Sequence, residues 1–80
     1  MIASGDLAAA RLVLRRAAEA GDAHAAMVLA GTYDPTVLDK LGVHGVVPDL
    51  AMARGWYEKA KKLGATEATQ RLELLASKQH

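Results

Sequence analysis

Cysteine and phenylalanine are both missing from these 80 residues. Without cysteine there is no disulfide, no thiol nucleophile and no thiolate metal ligand, and a cysteine-free chain suits cytosol and periplasm alike. Aromatic residues are scarce, one Trp and two Tyr. Stacking platforms interleaved with basic residues are therefore lacking, and a net charge of +1 gives no strong electrostatic pull on nucleic acid or an anionic bilayer. No apolar run reaches the roughly 18 residues of a membrane span, so direct membrane insertion by this segment is not expected. Met1-Ile2-Ala3-Ser4 lacks the charged and apolar regions of a signal peptide, so a targeting signal would lie outside this segment.

What the chain has is alanine. Apolar residues make up 51% of it, and much of that share is alanine, which contributes little transfer energy but favours helix and lets helices approach closely. A domain of this length buries roughly 60% of its extended-chain surface and is correspondingly marginal.

The chain also repeats. Asp6-Leu7-Ala8-Ala9-Ala10-Arg11 returns as Asp49-Leu50-Ala51-Met52-Ala53-Arg54, 43 positions on (6 to 49). The same shift places Ala17 on Ala60, Gly21 on Gly64, Ala25 on Ala68 and Leu29 on Leu72. A period between about 20 and 50 residues signals stacked units that bury their apolar faces against each other.

Each unit reads as two helices joined at a glycine. Asp6 is a candidate N-cap for a first helix whose stripe is Leu7, Ala10, Leu14, Ala17 and Ala18. Gly21 ends it, and Asp22 caps a second helix carrying Ala25, Ala26, Val28, Leu29 and Tyr33. A single-glycine junction lays the pair antiparallel. In the second unit Pro48-Asp49 starts a helix to Leu63, Gly64 ends it, and a fourth helix runs from about Thr66 to Ser77 with Ala68, Leu72, Leu75 and Ala76 inward. Ala65 stands where the first unit has Asp22, so Thr66 is expected to cap one residue later, with fraying. Between the units, Asp34-Pro35 reads as N-cap and N1 of a short helix carrying Val37, Leu38 and Leu41, stopped by Gly42. Val46 is expected to tuck inward. The expected fold is all-α, two helix-turn-helix units (about 6–33 and 49–78) of an α-solenoid. They form one domain over residues 1–80 with a long connector (34–48) holding a short helix. The core is expected at Leu7, Leu14, Val28, Leu29, Tyr57, Leu72 and Leu75, with Ala10, Ala17, Ala25, Ala53, Ala60 and Ala68 at close contacts.

Trp56-Tyr57-x-Lys59-Ala60-x-x-x-Gly64-x-x-x-Ala68-x-x-x-Leu72, preceded by Gly45-Val46-x-x-Asp49-x-x-x-Ala53, resembles the Sel-one-like repeat, a relative of the tetratricopeptide repeat. The resemblance spans the connector and most of the second unit. The first unit matches more weakly through Ala17-Ala18-Glu19-Ala20-Gly21-Asp22-Ala23-x-Ala25 and Leu29-x-x-x-Tyr33; Val13-Leu14 replaces Trp-Tyr, and the connector is longer than the family's short turn. The resemblance implies a right-handed helical solenoid serving as an adaptor or scaffold for proteins. Many bacterial members sit in cell-envelope or signalling proteins, and bacterial cytoplasm and periplasm are both compatible.

Candidate sites follow from the first helix of each unit, which in such solenoids lines the concave side. Arg11, Arg15, Arg54, Lys59, Lys61 and Lys62 lie there. They read either as a solvated surface with i,i+4 pairs Arg54–Glu58 and Glu58–Lys62, or as contacts for an acidic peptide. Trp56 reads either as packing over the connector or as a binding anchor. The partner-binding set is Arg11, Arg15, Arg54, Trp56 and Lys59. His44 lies near Asp34, Asp39 and Asp49 in sequence, but the spacing matches no closed metal motif, and the aspartates already serve as caps or surface residues. No catalytic constellation, metal site or cofactor site is expected: Ser4 and Ser77 lack a His–acid pairing and no phosphate loop occurs. The function expected is a non-catalytic protein-interaction or scaffolding module; the alternative is a purely structural cap or spacer of a larger protein. Leu12 and Val13 lie off the first helix's stripe and suit a neighbouring unit, while Gln70, Arg71, Glu73, Lys78 and Gln79 make the last helix's outer side polar. The natural chain is therefore expected to continue on the N-terminal side and end near His80, and the isolated front to self-associate weakly through the first helix.

Overall fold

Three turns set the architecture, and each uses a glycine where an L side chain is strained. The computed structural model describes residues 4–43 and 45–78. Among these it is all-helical: α1 (Ser4–Glu19), α2 (Ala23–Gly31), α3 (Pro35–Lys40), α4 (Leu50–Lys62) and α5 (Ala68–Lys78). None of these helices is long and apolar enough to cross a membrane.

Gly21 and Gly64 end α1 and α4 with φ of +102° and +109°, as helix stops in the left-handed region require. After α1, Gly21 N–H donates to the Ala18 carbonyl (3.0 Å) and Asp22 N–H to that of Ala17 (3.1 Å). After α4, Gly64 N–H donates to Lys61 (3.1 Å) and Ala65 N–H to Ala60 (2.9 Å). This is one Schellman motif built twice, and it satisfies the carbonyls that each helix end leaves unpaired. Gly42 closes α3 in the same way, with Val43 N–H donating to Leu38 (3.1 Å).

Aspartates open three of the helices. Carboxylates of Asp22, Asp34 and Asp49 accept from the backbone N–H of Ala25 (3.1 Å), Thr36 (2.9 Å) and Met52 (3.1 Å). Pro35 follows Asp34 at the first position of α3, where its missing N–H costs nothing. Asp6 is not a cap: α1 already begins at Ser4, which leaves Asp6 inside the first turn, where its charge still suits the helix dipole. The start of α5 also departs from the repeat. Shifted by 43, Ala23 maps to Thr66, yet α5 begins at Ala68. Without a capping side chain at Ala65, the chain makes a tight turn instead, with Ala68 N–H on the Ala65 carbonyl (3.1 Å).

The helices pack in chain order, α1 on α2 and α4 on α5, with α2 against α4 as the most extensive pairing. The molecule is a slab of 32 × 30 × 17 Å. Its centre is alanine: Ala18, Ala26, Ala30, Ala53, Ala60 and Ala68 are fully buried around Tyr57 and Leu75. Small side chains let the axes close together, and Tyr57 supplies the bulk. Leu7 and Leu29 are buried as expected, whereas Leu14, Ala17 and Leu72 are only half-buried. Three burial expectations fail. Val28 is 41% exposed, because the alanines of α2 already fill the space between its neighbours. Ala10 is exposed because no helix among the described residues covers that side of α1, and Ala76 also faces solvent. Val46 is half-buried. The connector is tied down by Asp49 N–H donating to the Tyr33 carbonyl (2.9 Å).

Candidate functional site: the groove between α1 and α4

α1 and α4 scarcely touch, and a groove lies between them. One recess lies there, and a second lies beside it on α4. One, of about 430 Å³, is lined by Ala8, Arg11, Leu12 and Arg15 of α1, Leu29 and Tyr33 of the α2 segment, and Trp56 of α4. The other, of about 330 Å³, is lined by Ala51, Met52, Gly55, Trp56 and Lys59. Trp56 lines both.

Helical spacing brings the lining together. Ala8, Arg11, Leu12 and Arg15 recur at 3- and 4-residue intervals and share one side of α1; Met52, Trp56 and Lys59 do the same on α4. Leu12 (44% exposed) and Met52 (38%) give the groove an apolar floor open to solvent. Arg11 is held in place by its neighbours. Its Nε donates to Thr32 Oγ1 (3.0 Å), its Nη2 donates to the Thr32 carbonyl, and its guanidinium carbon sits 3.9 Å from the Tyr33 ring centroid, a cation–π contact. Thr32 Oγ1 donates in turn to the Leu29 carbonyl (2.7 Å), which turns its lone pairs towards Arg11. Two of the five guanidinium N–H groups are engaged, leaving three as donors. Arg15 stands one turn further on, exposed. No carboxylate is among the described lining residues of either recess, so the groove carries positive charge beside apolar surface.

Four of the five residues singled out from sequence, Arg11, Arg15, Trp56 and Lys59, converge here. Arg54 does not: it is exposed and lines neither recess. Leu12, placed on the open front by its spacing, turns into the groove instead and leaves Val13 alone on that front. Sequence reasoning missed Tyr33 and Thr32 as the holders of Arg11. The signal was present, since both follow directly on the end of α2, but only the docking of α1 on α2 brings them to Arg11.

A smaller recess of about 180 Å³ lies elsewhere, among His24, Met27, Val28, Gly31, Val37, Tyr57, Glu67 and Arg71. It borders a buried polar knot. Asp34, 1% exposed, takes the Thr36 N–H on one oxygen and the Tyr57 hydroxyl on the other (2.7 Å). Burial pushes the Tyr57 phenol far above its ordinary value, the hydrogen bond and negative charge of Asp34 push the same way, and Arg71 opposes them weakly. With both carboxylate oxygens satisfied, the knot is a structural tie from α3 to α4. His44 and His80 lie outside the described residues.

Comparison with known proteins adds no relative: no family model, no curated protein and no solved structure matches the chain.

Proposed function

We propose that this chain is a non-catalytic interaction module of helical-repeat type, two stacked hairpins in the manner of the Sel-one-like repeat. Its groove takes an acidic amphipathic segment of another protein. One observation supports this above the rest: two recesses share Trp56 as a lining residue, with Arg11, Arg15 and Lys59 beside apolar Leu12 and Met52. A partner helix carrying Leu or Met on one side and Glu or Asp beside it would bury its apolar side on that floor and set carboxylates on the guanidinium groups. Arg11, already fixed by Thr32 and Tyr33, loses little side-chain freedom on binding.

Trp56 is the sole tryptophan, so its emission reports the groove directly. Peptides selected from a random display library on the chain should be rich in Asp and Glu around apolar residues. They should change Trp56 emission saturably and bind more weakly as salt rises. Arg15→Glu should lower affinity about tenfold, equivalent to ~1.4 kcal/mol. Failure of the library to enrich on the wild-type chain over a Trp56→Ala, Arg15→Glu double variant would sink the groove reading. That result would favour the second reading, a structural cap or spacer in a larger bacterial cell-envelope or signalling protein. The exposed polar residues Thr69, Gln70 and Glu73 on α5 support that second reading.

A further inference from the structure

The internal repeat marks a second interaction surface, distinct from the groove. α4 packs against both α2 and α5, with Ala53 and Ala60 fully buried, Tyr57 1% exposed and Trp56 packed beside them. Their counterparts 43 positions earlier are Ala10, Ala17, Leu14 and Val13. On α1 these same positions are less covered, although Leu14 and Ala17 still pack against the core. Ala10 is exposed, Val13 is 66% exposed, and Leu14 and Ala17 are only half-buried. The chain thus carries this set of positions twice and, among the described residues, covers it fully once.

We propose that the unfilled surface on α1 is closed by the α1 of a second copy, packed antiparallel about a two-fold axis. The chain's described helices offer two covers to weigh for that surface. Its own α2 is taken up by α4, where Ala26 and Ala30 are fully buried. The corresponding positions on α5 are Thr69 and Glu73, both exposed and polar, while Leu74, 42% exposed, is a large apolar side chain that α5 leaves open. Thr69 and Glu73 make α5 the poorer match, whereas an isologous α1–α1 contact sets exposed Val13, Ala9 and Ala10 against their counterparts and closes on itself. It continues the geometry already used between α2 and α4: Val13 of one copy would sit against Ala10 and Ala9 of the other, as larger side chains sit over alanines within the fold.

Charge selects the antiparallel direction. Asp6 lies near one end of the surface and Arg16 near the other, both exposed. Antiparallel copies set Asp6 of each beside Arg16 of its partner and oppose the two helix dipoles; parallel copies set like charges side by side. The alanine-rich contact is small, so the pair forms and dissociates with concentration. The groove, lined by Ala8, Arg11, Leu12 and Arg15 on another side of α1, stays open in both copies. Such a pair presents two grooves and binds a multivalent partner with avidity.

Sedimentation equilibrium from micromolar to millimolar protein tests this. The weight-average mass should climb from one chain to two. Val13→Lys should hold it at one chain with unchanged helical circular dichroism. Asp6→Arg and Arg16→Asp should each weaken association, and the two together should restore it, because the swapped charges meet again across the antiparallel contact. A mass of one chain throughout would overturn the proposal. So would association indifferent to Val13→Lys, or a double swap no better than the singles.

Discussion

The two helix junctions are built alike on one side of the glycine and differently on the other. Gly21 and Gly64 share a positive φ and the same pair of crossing hydrogen bonds. The next residue separates them. Asp22 closes α1 with its N–H and opens α2 with its carboxylate, so α2 begins at once, at Ala23. Ala65 does the first task and has no side chain for the second, and α5 begins only at Ala68. Stopping a helix is a backbone matter that glycine settles; starting the next needs a side-chain acceptor. The difference extends inward, for Leu29 on α2 is 1% exposed while its counterpart Leu72 on α5 is half-buried.

That contrast predicts unequal truncations. Leu29→Ala should cost about 2–5 kcal/mol, since a nearly enclosed side chain leaves a cavity. Leu72→Ala should cost roughly half as much, because part of that side chain is already in water. Urea midpoints of the two variants measure this, and equal costs would mean that the second hairpin is packed as tightly as the first.

The next effect concerns Tyr57, whose counterpart in the first unit is Leu14. Only the second unit carries the hydroxyl that reaches Asp34. Tyr57→Phe leaves one oxygen of a buried carboxylate without a donor, at a cost of about 1–3 kcal/mol. The sign with pH follows from the raised phenol. The folded chain holds that proton more tightly than the unfolded chain, whose phenol titrates near pH 10. The stability from this phenol is therefore complete below about pH 10 and lost as pH rises above it. Denaturant midpoints between pH 8 and pH 11 (roughly spanning that phenol pKa) should fall more steeply for the parent than for the Phe variant. Parallel curves would show that Tyr57 ionises as freely folded as unfolded.

The local rules were readable in the sequence, and the tertiary ones less so. Gly21, Gly64, Gly42, Asp22 and the Asp34-Pro35 pair act within a few residues of themselves, so their roles follow from neighbours along the chain. Asp6 misled because a good capping residue also suits a first turn, and nothing local decides between them. Val28 misled because α2 is apolar on nearly every side, so spacing could not tell which residues face α4. Arg11, Arg15, Trp56 and Lys59 were readable as a set because the repeat places them on equivalent helices. The Thr32–Tyr33 clamp on Arg11 and the bond from Tyr57 to Asp34 join residues more than 20 positions apart and follow only from docking.

The smallest effect is also the most direct test of the junction contrast. Ala65 already occupies the Asp22 position: its N–H makes the equivalent bond, to Ala60 as Asp22 does to Ala17. Asp22 accepts from Ala25, and 43 positions on Ala25 becomes Ala68, whose N–H now settles for the Ala65 carbonyl. Ala65→Asp would offer that N–H a carboxylate instead, place a negative charge at the positive end of α5, and draw the helix start back towards Thr66. A stabilisation of about 0.5–1 kcal/mol is expected, with slower amide exchange at Ala68 and Thr69. Asp22→Ala should cost a similar amount in the first unit, and α2 should then begin late, as α5 does now. If Ala65→Asp leaves both the melting curve and the exchange rates unchanged, the late start of α5 arises from its packing on α4 and not from the missing acceptor.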